Sequence, residues 1–228
     1  GDEVILPSYT FVSTANAFVM RGAVPVFVDI NEHTLNIDEM LIENAITHRT
    51  KAIIVVHYAG VACEMTKIME IAERYDLFVV EDAAQAICAE YRGRPLGSIG
   101  HLGCFSFHET KNIHCGEGGA LLINNKKFIR RKKIIKDKGT NRDDFNKKIV
   151  KKYTWVDLGS SYSLSEINAA FLYSQLKKAK EITRKRINIW HTYNKFFSKL
   201  EKKYQIIRPF VPKYAGINGH SYFIFFKK

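Results

Sequence analysis

The chain has 228 residues, 46% of them hydrophobic, with 35 lysines and arginines against 23 acids and a net charge of +12. That length buries one sizeable core and part of a second, while no apolar run is long enough to cross a bilayer and no charged-then-apolar leader pattern opens the chain. The positive excess sits in runs such as KKFIRRKK (126–133) and KKAKEITRKR (177–186); apolar residues recur through both, which reads as solvated faces of amphipathic helices and not as a nucleic-acid site.

The chain starts at Gly1 and enters EVILP (3–7), a strand pattern, at once, as a piece of a longer chain would. A helix is expected over 12–20, ended by Gly22, then a strand in VPVFVDI (24–30) and a helix near 38–45. KAIIVVHY (51–58) is β-branched and apolar throughout, as in a strand covered on both faces. A helix over 64–75 leads to LFVVEDA (77–83), and CFSF (104–107) and GALLI (119–123) read as further strands. This alternation predicts a mostly parallel α/β sheet with helices on both faces. SLSE (163–166) has the form of a capping box opening a helix through Lys178, and a longer helix follows through Leu200. IIRPF (206–210) and YFIFF (222–226) read as strands of a smaller, incomplete unit. The expected division is a large domain over 1–178 and a linking helix with the start of a small domain over 179–228.

In open α/β sheets, ligands gather at the carboxyl ends of the strands. VVEDAAQ puts Asp82 and Gln85 directly after an apolar strand, where Asp82 either serves a ligand or caps the next segment. HYAG ends its strand with His57, beside Tyr58 and Gly60; the plainer role there is a core-edge histidine satisfied by backbone. The cysteines, Cys63, Cys88, Cys104 and Cys115, form neither a C-x-x-C pair nor a disulfide framework, so a reducing, cytoplasmic setting is expected.

SFHETKNIHCGEGG (106–119) offers three roles for Lys111. A zinc site would use Cys104, His108, His114 and Cys115; Cys104 and His108 could share a strand face, but the adjacent side chains of His114 and Cys115 rarely converge on one ion without a special turn, and no separated pair of short-spaced ligands exists, so no metal is expected. GEGG matches neither the dinucleotide fingerprint nor the phosphate loop that ends in lysine and a hydroxyl. Its glycines suit a close backbone approach to a bulky planar ligand. A Schiff-base lysine needs shielding from water, a phosphate anchor and a carboxylate opposite a ring nitrogen. Lys111, Ser106 and Asp82 supply these in the order a pyridoxal-phosphate enzyme requires.

EDAAQA (81–86), GCFSFHETKN (103–112) and GEGGALLIN (116–124) closely resemble the DegT/DnrJ/EryC1/StrS family of sugar aminotransferases, and the likeness runs from GDEVILPSYTFVSTANA to HSYFIF. The resemblance implies the fold-type I, aspartate-aminotransferase-like architecture, pyridoxal 5'-phosphate as cofactor and a homodimer with shared active sites. It makes Lys111 the Schiff-base lysine, Asp82 the partner of the ring nitrogen, Gln85 a neighbour of the ring and its 3-hydroxyl, Ser106 a phosphate ligand and Phe11 the stacking aromatic. The DLGSSY loop (157–162) would complete a neighbouring subunit's phosphate site through Ser161, a position where many relatives carry asparagine. His108 and Glu109 either line the site or serve structure alone. KGTNRDDF (138–145) and KYTWVDLGSSY (152–162) further resemble the branch that uses glutamate to aminate dTDP-4-dehydro-6-deoxyglucose, giving dTDP-4-amino-4,6-dideoxygalactose for surface polysaccharide. Relatives extend on both sides of this segment and carry upstream a hydroxyl-rich turn that also grips the phosphate. The lysine argues against the dehydratase relatives, which carry histidine there; a transaminase for another keto-sugar nucleotide, or an inactive fragment, stays open.

Overall fold

A computed structural model of the chain describes residues 1–226; the last two residues of the expected small domain lie outside them. In chain order come β1 (Glu3–Pro7), α1 (Val12–Val19), β2 (Val24–Val28), β3 (Thr50–Val56), α2 (Met65–Arg74), β4 (Phe78–Asp82), β5 (Glu90–Tyr91), β6 (Arg94–Pro95), β7 (Leu102–Ser106) and β8 (Gly119–Ile123). There follow α3 (Ile129–Lys136), α4 (Arg142–Asn146), α5 (Glu166–Lys177), α6 (Ala179–Ser198), α7 (Glu201–Tyr204), β9 (Ile206–Ile207), β10 (Ala215–Gly216) and β11 (Phe225–Phe226).

Six strands form the main sheet in the order β2-β1-β3-β4-β7-β8. Every pair is parallel except β7 with β8. The parallel strands are apolar because helices cover both faces. On one face Ile5, Ile53 and Val79 pack with Ile68 and Ile71 of α2; on the other, Val4, Leu6 and Ile54 meet Ala15 and Phe18 of α1. Each fully buried side chain of this kind contributes about 1.5–3 kcal/mol. β8 forms the open edge and is largely exposed. Among the described residues no helix is long and apolar enough to cross a membrane.

Two expected elements differ in the structure. Residues 38–45 form turns and a single 3-10 turn, Glu43–Ala45, instead of a helix. The Asp38 side chain accepts the Met40 amide at 3.0 Å, closing a local turn at the start of the segment. The cap of α5 is Ser165, whose hydroxyl accepts the Asn168 amide at 3.2 Å, so the box begins two residues later than SLSE suggests. Glu166 instead occupies the first turn, where its charge complements the helix dipole.

Behind the sheet's carboxyl end lies a fully buried pair, His57 and Glu81, joined at 3.0 Å. His57 Nδ1 accepts the Cys63 amide, which leaves the proton on Nε2, facing Glu81. The Glu81 carboxylate also takes the amides of Gly97, Ile99 and Gly100, binding the 97–100 turn to β4. Burial alone would raise the Glu81 carboxyl, but the His57 hydrogen bond and the Gly100 and Gly97 amides outweigh it and hold the carboxyl below its usual value. The sign follows: the unfolded carboxyl binds its proton more tightly, so this stabilisation is complete above about pH 4.3 and is lost as pH falls through the native value. Acid unfolding followed by circular dichroism should show a component that Glu81→Gln removes; an unchanged acid limb in that variant would contradict the assignment.

Candidate active site

The site is built on the carboxyl ends of β4 and β7. Asp82 is the last residue of β4 and stands opposite Cys104 of β7, so both side chains share a face, with Ser106 two residues further on the same face. Burial, then the charge of Asp82, pushes the Cys104 thiol up to about 11, so the sulfur stays protonated and unreactive beside the carboxylate. Asp82 Oδ1 accepts the Ala84 amide at 3.1 Å and Oδ2 accepts the Thr14 hydroxyl at 2.7 Å. Asp82 is therefore no simple cap: its second oxygen is held by a side chain 68 residues away in sequence.

Thr14 comes from the first turn of α1, and its amide donates to the Phe11 carbonyl. That turn carries Phe11 to the same end of the sheet with its ring 73% exposed, a face free to receive a planar ligand and not part of the core. Gln85 follows Asp82 in the next turn and commits its Oε1 to the Ala59 amide at 2.6 Å. Its amide nitrogen makes no hydrogen bond among the described residues. His57 lies in the core with Glu81, outside the site face.

Ser106 ends β7 half-buried, and its oxygen accepts the His108 amide at 3.3 Å, which leaves its hydroxyl proton available to an anion. The turn after it is local: the Lys111 amide donates to the His108 carbonyl and the Cys115 amide to the Phe107 carbonyl. This places Lys111 beside the strand ends, half-buried, with no hydrogen bond or ion pair to its ammonium among the described residues. His108 is tied within its own loop to Thr110 at 2.9 Å and Glu117 at 3.5 Å; Glu109 is exposed. His114 and Cys115 diverge, the first toward Phe171 and Gln175 of α5, the second into a cluster with Phe107, Ile113 and Leu172.

The chain's last described loop closes over this region, which sequence reasoning missed. Asn218, fully buried, donates to the carbonyls of Gln85 and Ile87 at 2.8 and 2.9 Å. Its own carbonyl accepts Asn112 Nδ2 at 3.2 Å, one residue beyond Lys111. With Asn112 oriented in this way, its Oδ1 is the acceptor for His220 Nδ1 at 3.0 Å, so the His220 proton sits on Nδ1. Burial, then the charges of Lys111 and Arg186, lowers His220 to about 4, so it is neutral at pH 7. Arg186 of α6 holds the loop by donating to the carbonyls of Gly219 and His220 at 3.2 and 2.8 Å. The only sequence signal for this closure is polar: INGHS between apolar runs.

Gly60 makes the closure sterically possible. Its φ is +76°, and a Cβ there would stand 2.0 Å from Asn218 Oδ1. Gly60→Ala is expected to cost about 1–3 kcal/mol, read as a lowered thermal midpoint. An unchanged midpoint would mean that Asn218 does not pack there.

Ser161 lies on the loop that packs against the end of α3. It is exposed and forms an isolated bridge with Asp137. Its loop is strapped to the end of α3: Lys138 donates to the Ser160 carbonyl, the amides of Val156 and Asp157 donate to the Gly139 carbonyl, and Arg131 pairs with Asp157.

The model of the DegT/DnrJ/EryC1/StrS aminotransferase family matches residues 1–227. The uncharacterized protein MJ1066 of Methanocaldococcus jannaschii is 44% identical over 225 residues, covering 97% of this chain and 57% of that protein. Among solved structures, S. venezuelae DesV in complex with a ketimine intermediate superposes with a TM-score of 0.87 at 32% identity, over 98% of this chain and 57% of that one. Spr1654 of Streptococcus pneumoniae, in its PLP form, gives 0.87 at 26% identity, over 100% of this chain and 61% of that one. The chain thus spans about three-fifths of the length of these relatives.

Proposed function

The chain belongs to the DegT/DnrJ/EryC1/StrS aminotransferase family, and from that premise we propose that it carries the cofactor-binding core of a pyridoxal-phosphate-dependent sugar-nucleotide aminotransferase. Its substrate in this reading is dTDP-4-dehydro-6-deoxyglucose, its amino donor glutamate and its product dTDP-4-amino-4,6-dideoxygalactose. The observation that carries the reading is the half-buried Lys111 amine, without a hydrogen bond or ion pair among the described residues, at the same strand ends as Asp82 and Ser106. The choice of sugar rests on the likeness of KGTNRDDF and KYTWVDLGSSY to that branch.

The residues fit the cofactor's parts. Asp82 presents an anchored carboxylate for a protonated ring nitrogen, Phe11 an exposed ring, Gln85 a free amide nitrogen toward the 3-hydroxyl, and Ser106 a hydroxyl proton for the phosphate. When bound, the cofactor supplies an aldehyde that takes up an amino group and a ring that accepts the electron pair released at the substrate carbon. Lys111 would hold the cofactor through Nζ, and its amine, when free, would accept the proton from glutamate's α carbon and in the reverse direction deliver one to carbon 4 of the sugar. Asp82 would keep a proton on the ring nitrogen, and neutral His220 adds no second positive charge beside Lys111.

Residues 1–178 act as the large domain in this reading and the chain from 179 as the start of the small one. Two copies share their sites: Trp155, Leu158, Tyr162 and Ile167 present exposed apolar surface around Ser161, which would reach the partner's phosphate. Mixing a Lys111→Ala chain with one lacking the 157–162 loop should restore activity, since a mixed dimer holds one intact site. Confirmed mixed dimers without activity would place the loop outside the partner's site.

The reading is tested on the protein that contains this chain by adding glutamate to the cofactor-loaded form and recording its absorbance. Conversion from the pyridoxal to the pyridoxamine form is expected, followed by reversal with dTDP-4-dehydro-6-deoxyglucose. No conversion by any amino donor would overturn the reading; reversal only by a different nucleotide keto-sugar would correct the substrate.

A further inference from the structure

We infer that Thr14, backed by Thr10, is a positioning residue that sets the Asp82 carboxylate for the cofactor's ring nitrogen; this rests on the reading just given. Thr14 is 7% exposed, and its hydroxyl lies 2.7 Å from Asp82 Oδ2 and 2.7 Å from the Thr10 hydroxyl. An ionised carboxylate only accepts hydrogen bonds, so Thr14's single proton is committed to Asp82. Thr10 must then be the donor in the second contact. The three groups form a one-way chain, Thr10 to Thr14 to Asp82, in which each donor polarises the next.

The geometry gives this chain a task that packing alone does not require. The Ala84 amide holds Oδ1 and Thr14 holds Oδ2, so the plane of the carboxylate is fixed from two elements, its own turn and α1. A carboxylate held from one side only would rotate about its last bond and meet the ring nitrogen at varying angles. Thr14 also sits one helical turn after Phe11, whose carbonyl accepts its amide. One turn of α1 therefore carries both the aromatic face and the clamp on the acid. A ring lying on Phe11 and a carboxylate set by Thr14 are aligned by the same rigid piece of backbone.

The test uses Thr14→Val, which keeps the shape and removes the hydroxyl, and Thr14→Ser, which keeps the hydroxyl. Each protein is loaded with pyridoxal phosphate labelled with 15N in the ring, and the nitrogen resonance is followed against pH. In Thr14→Val it should move toward the less protonated form, with a loss of about ten- to a hundredfold in the rate of amino transfer, as expected for a hydrogen bond to a charged group. Thr14→Ser should restore both. Thr10→Val should shift the resonance in the same direction by less, and serves as the readout if Thr14→Val does not fold. A resonance and rate unchanged in Thr14→Val, or in Thr10→Val where that variant is the readout, would overturn the inference. Asp82→Asn separates the levels: if it moves the resonance while the threonine variants do not, only this inference fails. If it too leaves the resonance in place, the assignment of Asp82 to the ring fails with it.

Discussion

Lys111→Arg is expected to lose about four orders of magnitude in turnover or more, although the positive charge is kept. A guanidinium cannot be freed of its proton at neutral pH, so it can neither bind the aldehyde carbon nor carry a proton between two carbons. Charge retention makes this variant more informative than alanine, because the half-buried site keeps its cation and the neighbouring His220 keeps its electrostatic setting. The measurement is the single-turnover half-reaction with glutamate. A rate within tenfold of the parent would mean that the lysine binds by charge alone.

Asp82→Asn is expected to slow the same half-reaction by at least two orders of magnitude, about 3 kcal/mol of transition-state stabilisation. Asparagine can still face Thr14 and the Ala84 amide, so the local fold survives while the charge that favours a protonated ring nitrogen is gone. A near-parental single-turnover rate would reduce Asp82 to a turn residue. The two variants act on different atoms of the same chemistry, one on the proton being moved and one on the electron sink.

Much of this site was legible because its residues follow strands whose apolar runs announce them. VVEDAAQ and CFSFHETK place a carboxylate, a hydroxyl and a lysine at the ends of β4 and β7, and the parallel order brings those ends together. The family likeness then supplied the role proposed for each residue type. What escaped were partners that meet only in three dimensions. Thr14 looks like any helix threonine until α1 packs over the sheet and its hydroxyl reaches Asp82. Glu81 alternates with Asp82 on the strand and reads as a second acid, yet it turns inward to His57 and three backbone amides. Asn218 and His220 reach Gln85, Ile87 and Asn112 across more than a hundred residues, a separation that no local pattern spans. The expected helix over 38–45 gives only turns and one 3-10 turn, opened by the Asp38 side chain closing a local turn on the Met40 amide.

Whether Lys111 holds the cofactor is read from the site of a reduced adduct. The protein containing this chain is loaded with pyridoxal phosphate, reduced with borohydride, digested, and its peptides mapped by mass spectrometry. A pyridoxyl group on Lys111 is expected; reduction that leaves Lys111 unmodified and marks another lysine would refute this role for Lys111.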